Sequence, residues 1–159
     1  SGCHGMDARM DPDTALRICD VKMTDTTGKE RWTFHSGEEV RIHIVYESDE
    51  RLQRPVFGVL MHRSDGIYVA STNTYNIDPT DLGPIEGQGE VVVSIDHLDL
   101  HRGNYFLSVG AYYEPDPPYW STEADFLDKA FQFSVLSCGR HGVIALPATW
   151  ECHRPSGGQ

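Results

Sequence analysis

The sequence predicts an all-β fold, a sandwich of about eight short strands. Three observations carry that prediction. Apolar residues recur with a period of two wherever a period is legible. No stretch of a dozen residues has the three-to-four spacing of an amphipathic helix. Turn signals such as Asp25-Thr26-Thr27-Gly28 and Ser64-Asp65-Gly66 separate the runs. The 159 residues suit one domain, long enough to bury a core without staples. Residues 1–13, polar and closed by Asp11-Pro12-Asp13, read as a flexible lead-in or linker remnant. Residues 14–151 read as the sandwich and 152–159 as a flexible tail.

Leu16, Ile18 and Val21 mark a first strand, and the turn after Asp25 leads into Arg31-Trp32-Thr33-Phe34. After a second turn at Ser36-Gly37-Glu38-Glu39, Val40, Ile42, Ile44 and Tyr46 point one way while Arg41, His43 and Val45 point the other, as a half-buried strand requires. Pro55 to Arg63 is apolar on both faces and predicts a central strand covered on each side. Asp65-Gly66 suits the positive φ angles of a tight hairpin, from which Ile67 to Thr72 returns. Asn73 to Gly89, with its prolines and glycines, predicts a long loop. Val91, Val93 and Ile95 form another inward row, Leu98 and Leu100 plug one end of the core, and Tyr105, Leu107, Val109 and Ala111 alternate with outward residues. The prolines after Glu114 stop that strand. Phe131, Phe133 and Val135 give a last long strand, and Val143 to Trp150 a short terminal one; Trp32 and Trp150 are core or interface residues, Trp150 as the anchor of the terminal tail.

A net charge of -11, with only three lysines among 13 basic residues, argues against nucleic acid, whose backbone is bound by clustered Lys and Arg. No apolar run approaches the roughly 20 residues of a membrane-spanning helix. Cys3, Cys19, Cys138 and Cys152 form no CxxC pair, so neither a zinc ribbon nor a thioredoxin-like motif is spelled; free thiols are expected, and in a secreted protein three pairings would be possible, of which Cys138–Cys152 would close a short C-terminal loop.

No enzyme active site is spelled out, and no cofactor is implied. A G-x-S-x-G elbow and a phosphate loop are both absent. Paired-carboxylate hydrolysis would draw on Asp65, Asp116, Glu123 and Asp125, which the sequence does not bring together. His97 and His101 have the spacing of a helical metal pair in a segment that does not read as helix, and the Asp78–Glu86 segment has oxygens suited to calcium. Binding is the better reading. If the outward rows share a sheet, Gly58, Ser108 and Gly110 leave a trough walled by Arg41, His43, Tyr68 and Tyr112, a surface suited to the C–H faces and paired hydroxyls of a sugar. Tyr119 and Trp120 frame a proline-stiffened loop and join those four as candidate carbohydrate-binding residues.

Several segments, taken in order, carry a family resemblance. They are Ser36-Gly37-Glu38 before Val40-x-Ile42-x-Ile44-x-Tyr46, then Phe57-Gly58-Val59, then Asp65-Gly66 with Asn73-Thr74. Leu98-x-Leu100-x-x-Gly103-x-Tyr105-x-Leu107-Ser108, Phe131-x-Phe133-x-Val135 and Trp150 complete the set. Over residues 15–150 the chain resembles the C-terminal carbohydrate-binding domain of the ATPase subunit of bacterial O-antigen ABC exporters, the Wzt type. The resemblance implies an immunoglobulin-like antiparallel sandwich that binds the exported polysaccharide without chemistry of its own. It also implies a homodimer, with an exchanged C-terminal strand in some members, joined to a nucleotide-binding domain and a membrane subunit at the cytoplasmic face of the bacterial inner membrane. A structural or protein-protein sandwich without a sugar ligand, and a small glycoside-active enzyme, are the competing readings.

Overall fold

The computed structural model describes residues 13–76, 82–113, 123–136, 143–144, 146 and 148–152. Its strands are β1 (Leu16–Thr24), β2 (Thr33–His35), β3 (Val40–Leu52), β4 (Val56–Arg63), β5 (Tyr68–Asn73), β6 (Ile85–Ile95), β7 (Gly103–Tyr112) and β8 (Glu123–Leu136), with a 3-10 turn at Thr74–Asn76. They form two sheets, β1-β3-β6 and β2-β8-β7-β4-β5. Every neighbouring pair is antiparallel except β2 with β8. The sandwich expected from the period-two rows is therefore present.

The inward rows meet between the sheets. Val21 and Met23 of β1 and Ile42, Ile44 and Tyr46 of β3 face Phe57, Val59 and Met61 of β4, Leu107, Val109 and Ala111 of β7, and Phe133 and Val135 of β8. Each large side chain taken wholly from water contributes about 1.5–3 kcal/mol, so these rows fix the register of both sheets. Leu98 and Leu100 do plug one end: both are buried, and Leu98 exchanges backbone hydrogen bonds with Gly37 and Glu38 at 2.8 and 2.9 Å.

One long side of the sandwich is tied shut. A bulge at Cys19 shifts the β1 register, and the Ile18 N–H there donates to Oδ2 of the buried Asp125, reaching across from β8 at 2.8 Å. Cys19 is disulfide-bonded and Cys152 is an exposed free thiol. This corrects the free-thiol expectation, and the Cys138–Cys152 alternative fails with it. Cysteine spacing alone does not say which thiols the fold brings together.

Other boundaries differ for identifiable reasons. The expected Asn73–Gly89 loop ends early: β6 starts at Ile85, and Gly87, Gln88 and Gly89 pair with Ser48, Glu47 and Tyr46 of a β3 that runs on to Leu52. Gly89 hid the alternation because it replaces a side chain with space. A Cβ there would lie 2.3 Å from the Tyr46 hydroxyl and 2.6 Å from Cζ, so the glycine admits the Tyr46 ring, which leans on Phe57 with centroids 5.2 Å apart. β8 likewise starts at Glu123, eight residues before Phe131, because a bulge around Lys129, at φ 48, breaks its period. Trp150 is no anchor within the chain. It is 93% exposed, and of the expected terminal strand the described residues form one bridge, Leu100 to Ile144.

Gly89→Ala forces the Tyr46 ring out of a filled space and is expected to cost about 1–3 kcal/mol in a denaturant titration. An unchanged midpoint would mean that Tyr46 does not lie across that glycine.

Candidate functional site

The six residues singled out in the sequence fall on different surfaces. Arg41 and His43 project from β3, on the outside of the three-stranded sheet; Tyr68 on β5 and Tyr112 on β7 belong to the five-stranded sheet. Tyr119 and Trp120 lie outside the described residues. The single trough with four walls therefore does not assemble. Strand parity separates inward from outward but does not say which sheet's outside a residue joins.

The floor of the trough does form. Gly58 pairs with Gly110 in the β4–β7 ladder, leaving two adjoining positions without side chains on the outer face. Tyr112 fills this depression instead of walling it. A Cβ on Gly110 would stand 2.6 Å from the Tyr112 hydroxyl, and one on Gly58 would stand 4.0 Å from its ring. Burial pushes the Tyr112 phenol above its ordinary pKa, and the neighbouring Glu123 carboxylate adds to the rise. Ser108 is buried too, its Oγ accepting the Lys129 N–H at 2.8 Å and so completing the ladder where β8 bulges.

Further along the same face, beyond the Leu60–Ser108 pair, Gln132, Phe106, His62 and Tyr68 stand side by side across β8, β7, β4 and β5. Tyr68 and Gln132 are the exposed members; the Tyr68 ring is 54% accessible and meets His62 edge-on with centroids 5.3 Å apart at 73°. The His62 Nδ1 is buried without a hydrogen-bond partner. Beyond the row, Ser134 donates to Asn104 Oδ1 at 2.7 Å, and Arg63 clamps Asp65 with two nitrogens, holding that carboxyl below its usual pKa. The result is a shallow face with one exposed ring, flanked by amides, hydroxyls and an imidazole.

On the opposite sheet His43 has partners that sequence reasoning missed. Its Nε2 lies 2.8 Å from Thr24 Oγ1 and its Nδ1 3.2 Å from Glu90 Oε1, linking β1, β3 and β6. Hydroxyl, imidazole and carboxylate stand in the order of an acyl-transfer relay. Thr24 is 1% exposed at the foot of the Asp25–Lys29 turn, so no substrate carbonyl reaches its oxygen, and the chain of bonds ties strands together. Arg41 pairs with Glu39 at 3.4 Å. No sequence spacing pointed to this trio, because each member comes from a different strand.

The remaining candidates are spread apart. Asp125 holds β1, Asp65 is clamped by Arg63, and Asp116 lies outside the described residues. His101 is buried with its carbonyl accepting the Tyr105 hydroxyl at 2.6 Å, while His97 Nδ1 sits 3.4 Å from the Gly37 carbonyl. Of the Asp78–Glu86 segment considered for calcium, residues 78–81 lie outside the described residues as well.

A second concave feature opens on the long side away from Asp125, between β5 and β6. Two adjoining clefts, about 410 and 520 Å³, share Thr72, Val93 and Ser94; the first is lined by Val69, Ile95, Leu98 and Ile144 among others. Its walls are mostly apolar core residues left uncovered at the edges of the two sheets.

A family model described as the Wzt C-terminal domain matches residues 13–146. No curated protein matches the chain. Among solved structures, the crystal structure of the C-terminal domain of wzt aligns with a TM-score of 0.78 at 18% identity, covering 96% of this chain and 92% of that one. At that identity the likeness is one of fold.

Proposed function

Because the chain belongs to the Wzt C-terminal domain family, we propose that it is a non-catalytic carbohydrate-binding domain recognising a bacterial O-antigen or related surface polysaccharide for export by an ABC transporter. The observation that carries this reading is the row Gln132, Phe106, His62 and Tyr68 on the outer face of the five-stranded sheet. Tyr68 offers a ring on which the C–H face of a pyranose stacks, and the amide and imidazole beside it suit hydroxyls in the plane of the sugar. The ring is already held edge-on by His62, so little side-chain freedom is lost when ligand arrives.

In this reading the domain works beside a nucleotide-binding domain and a membrane subunit at the cytoplasmic face of the inner membrane, where it commits finished polysaccharide to export. The Cys19 disulfide is unusual for that compartment. The domain is a homodimer in which the C-terminal segment crosses to the other copy. Ile144, Leu146 and Trp150 support this, being 54%, 72% and 93% exposed along a segment that leaves the sandwich beside the open β5–β6 side. Apolar side chains in such a row are characteristic of surfaces covered in an assembly.

Tyr68→Ala is expected to weaken binding to the source organism's delipidated surface polysaccharide about tenfold by calorimetry, with the melting temperature nearly unchanged. Undiminished affinity would remove this face from the reading. Tyr112→Ala is a poorer probe, since its ring fills the glycine depression and its loss costs stability as well. For the dimer, the Leu146→Asp, Trp150→Asp double variant should sediment as a monomer where the parent chain sediments as a dimer. A parent chain that is monomeric at all concentrations would refute the exchange.

A further inference from the structure

We infer that the polysaccharide stretch this face contacts is uncharged, and that glycans bearing carboxylates or phosphates along it are rejected. The inference rests on the carbohydrate reading and narrows its ligand class. Among the described residues, the outward row of β8, β7, β4 and β5 is Gln132, Phe106, His62 and Tyr68, without an Arg or Lys. Of the cations at its margins two are engaged, and a third, Arg102, is exposed at the bend that leads into β7, beyond Asn104. Arg63 is clamped on Asp65, and the Lys129 ammonium lies 3.9 Å from Asp128.

An anionic sugar placed on Tyr68 would shed water without gaining a partner charge, a loss that amide and hydroxyl hydrogen bonds offset only in part. The field of a chain with net charge -11 opposes its approach as well. A neutral sugar meets neither cost, and its hydroxyls match the neutral amides and hydroxyls of Gln132, Asn104 and Ser134. The face thus selects by what it withholds as much as by what it offers.

The test is calorimetric titration of the full chain with two sets of polymers. One set is neutral: glucan, galactan, mannan and the source organism's own polysaccharide. The other is the same polymers with their primary hydroxyls oxidised to carboxylates. The expected result is that a neutral polymer binds with little dependence on salt, that its oxidised form binds at least about tenfold more weakly, and that Gln132→Lys narrows that gap. Equal or tighter binding of an oxidised polymer, or a source polysaccharide that binds and proves acidic along its repeat, overturns the inference while leaving the carbohydrate reading intact. No binding to any polymer of either set overturns both.

Discussion

Asp125 sets the asymmetry on which the rest of this sandwich depends. A buried carboxylate on β8 accepts the Ile18 N–H at the bulge of β1, so a free strand edge of the three-stranded sheet is held against the five-stranded one. A buried N–H left without an acceptor would cost on the order of 1–3 kcal/mol, so this contact decides where the smaller sheet sits. Three strands cannot cover five, and with one side tied the shortfall falls wholly on the other. There β5 and β6 stand apart, core residues such as Val93 and Ile95 line an open cleft, and the C-terminal segment passes with its apolar side chains exposed.

The two faces of the domain are shaped by one local device used twice. Inside, Gly89 makes room for the Tyr46 ring; outside, Gly110 makes room for that of Tyr112. In each case a ring lies flat along the sheet over a residue with no side chain, converting a weak point of a strand into packed surface. On the outer face the consequence is which ring stays exposed. The glycine depression is filled by the protein's own tyrosine, which leaves Tyr68, propped by His62, as the exposed ring of a shallow and uncharged platform.

Legibility in the sequence followed the physics of alternation. The inward rows of β3, β4 and β7 were readable because burial on one face enforces period two, and the leucine plug was readable because loops seldom spend two leucines on solvent. What could not be read lay where the period breaks. Gly87 and Gly89 disguised the start of β6, the Lys129 bulge disguised the first half of β8, and the Cys19 bulge gave no sign of the disulfide. Parity placed Tyr68, Tyr112, Gly58 and Gly110 on an outer face but also gathered Arg41 and His43 there, since it carries no information on sheet membership. His62, Phe106 and Gln132 were passed over because their row exists only across four strands.

The central claim, that the outer face of the five-stranded sheet is the recognition surface, is tested most directly by amide NMR of the isotope-labelled chain titrated with fragments of the source organism's polysaccharide. The account predicts that shifts cluster on Tyr68, His62, Phe106 and Gln132 and spare Thr24, His43 and Glu90 on the opposite sheet. Shifts confined to that opposite sheet, or to the cleft between β5 and β6, would contradict it.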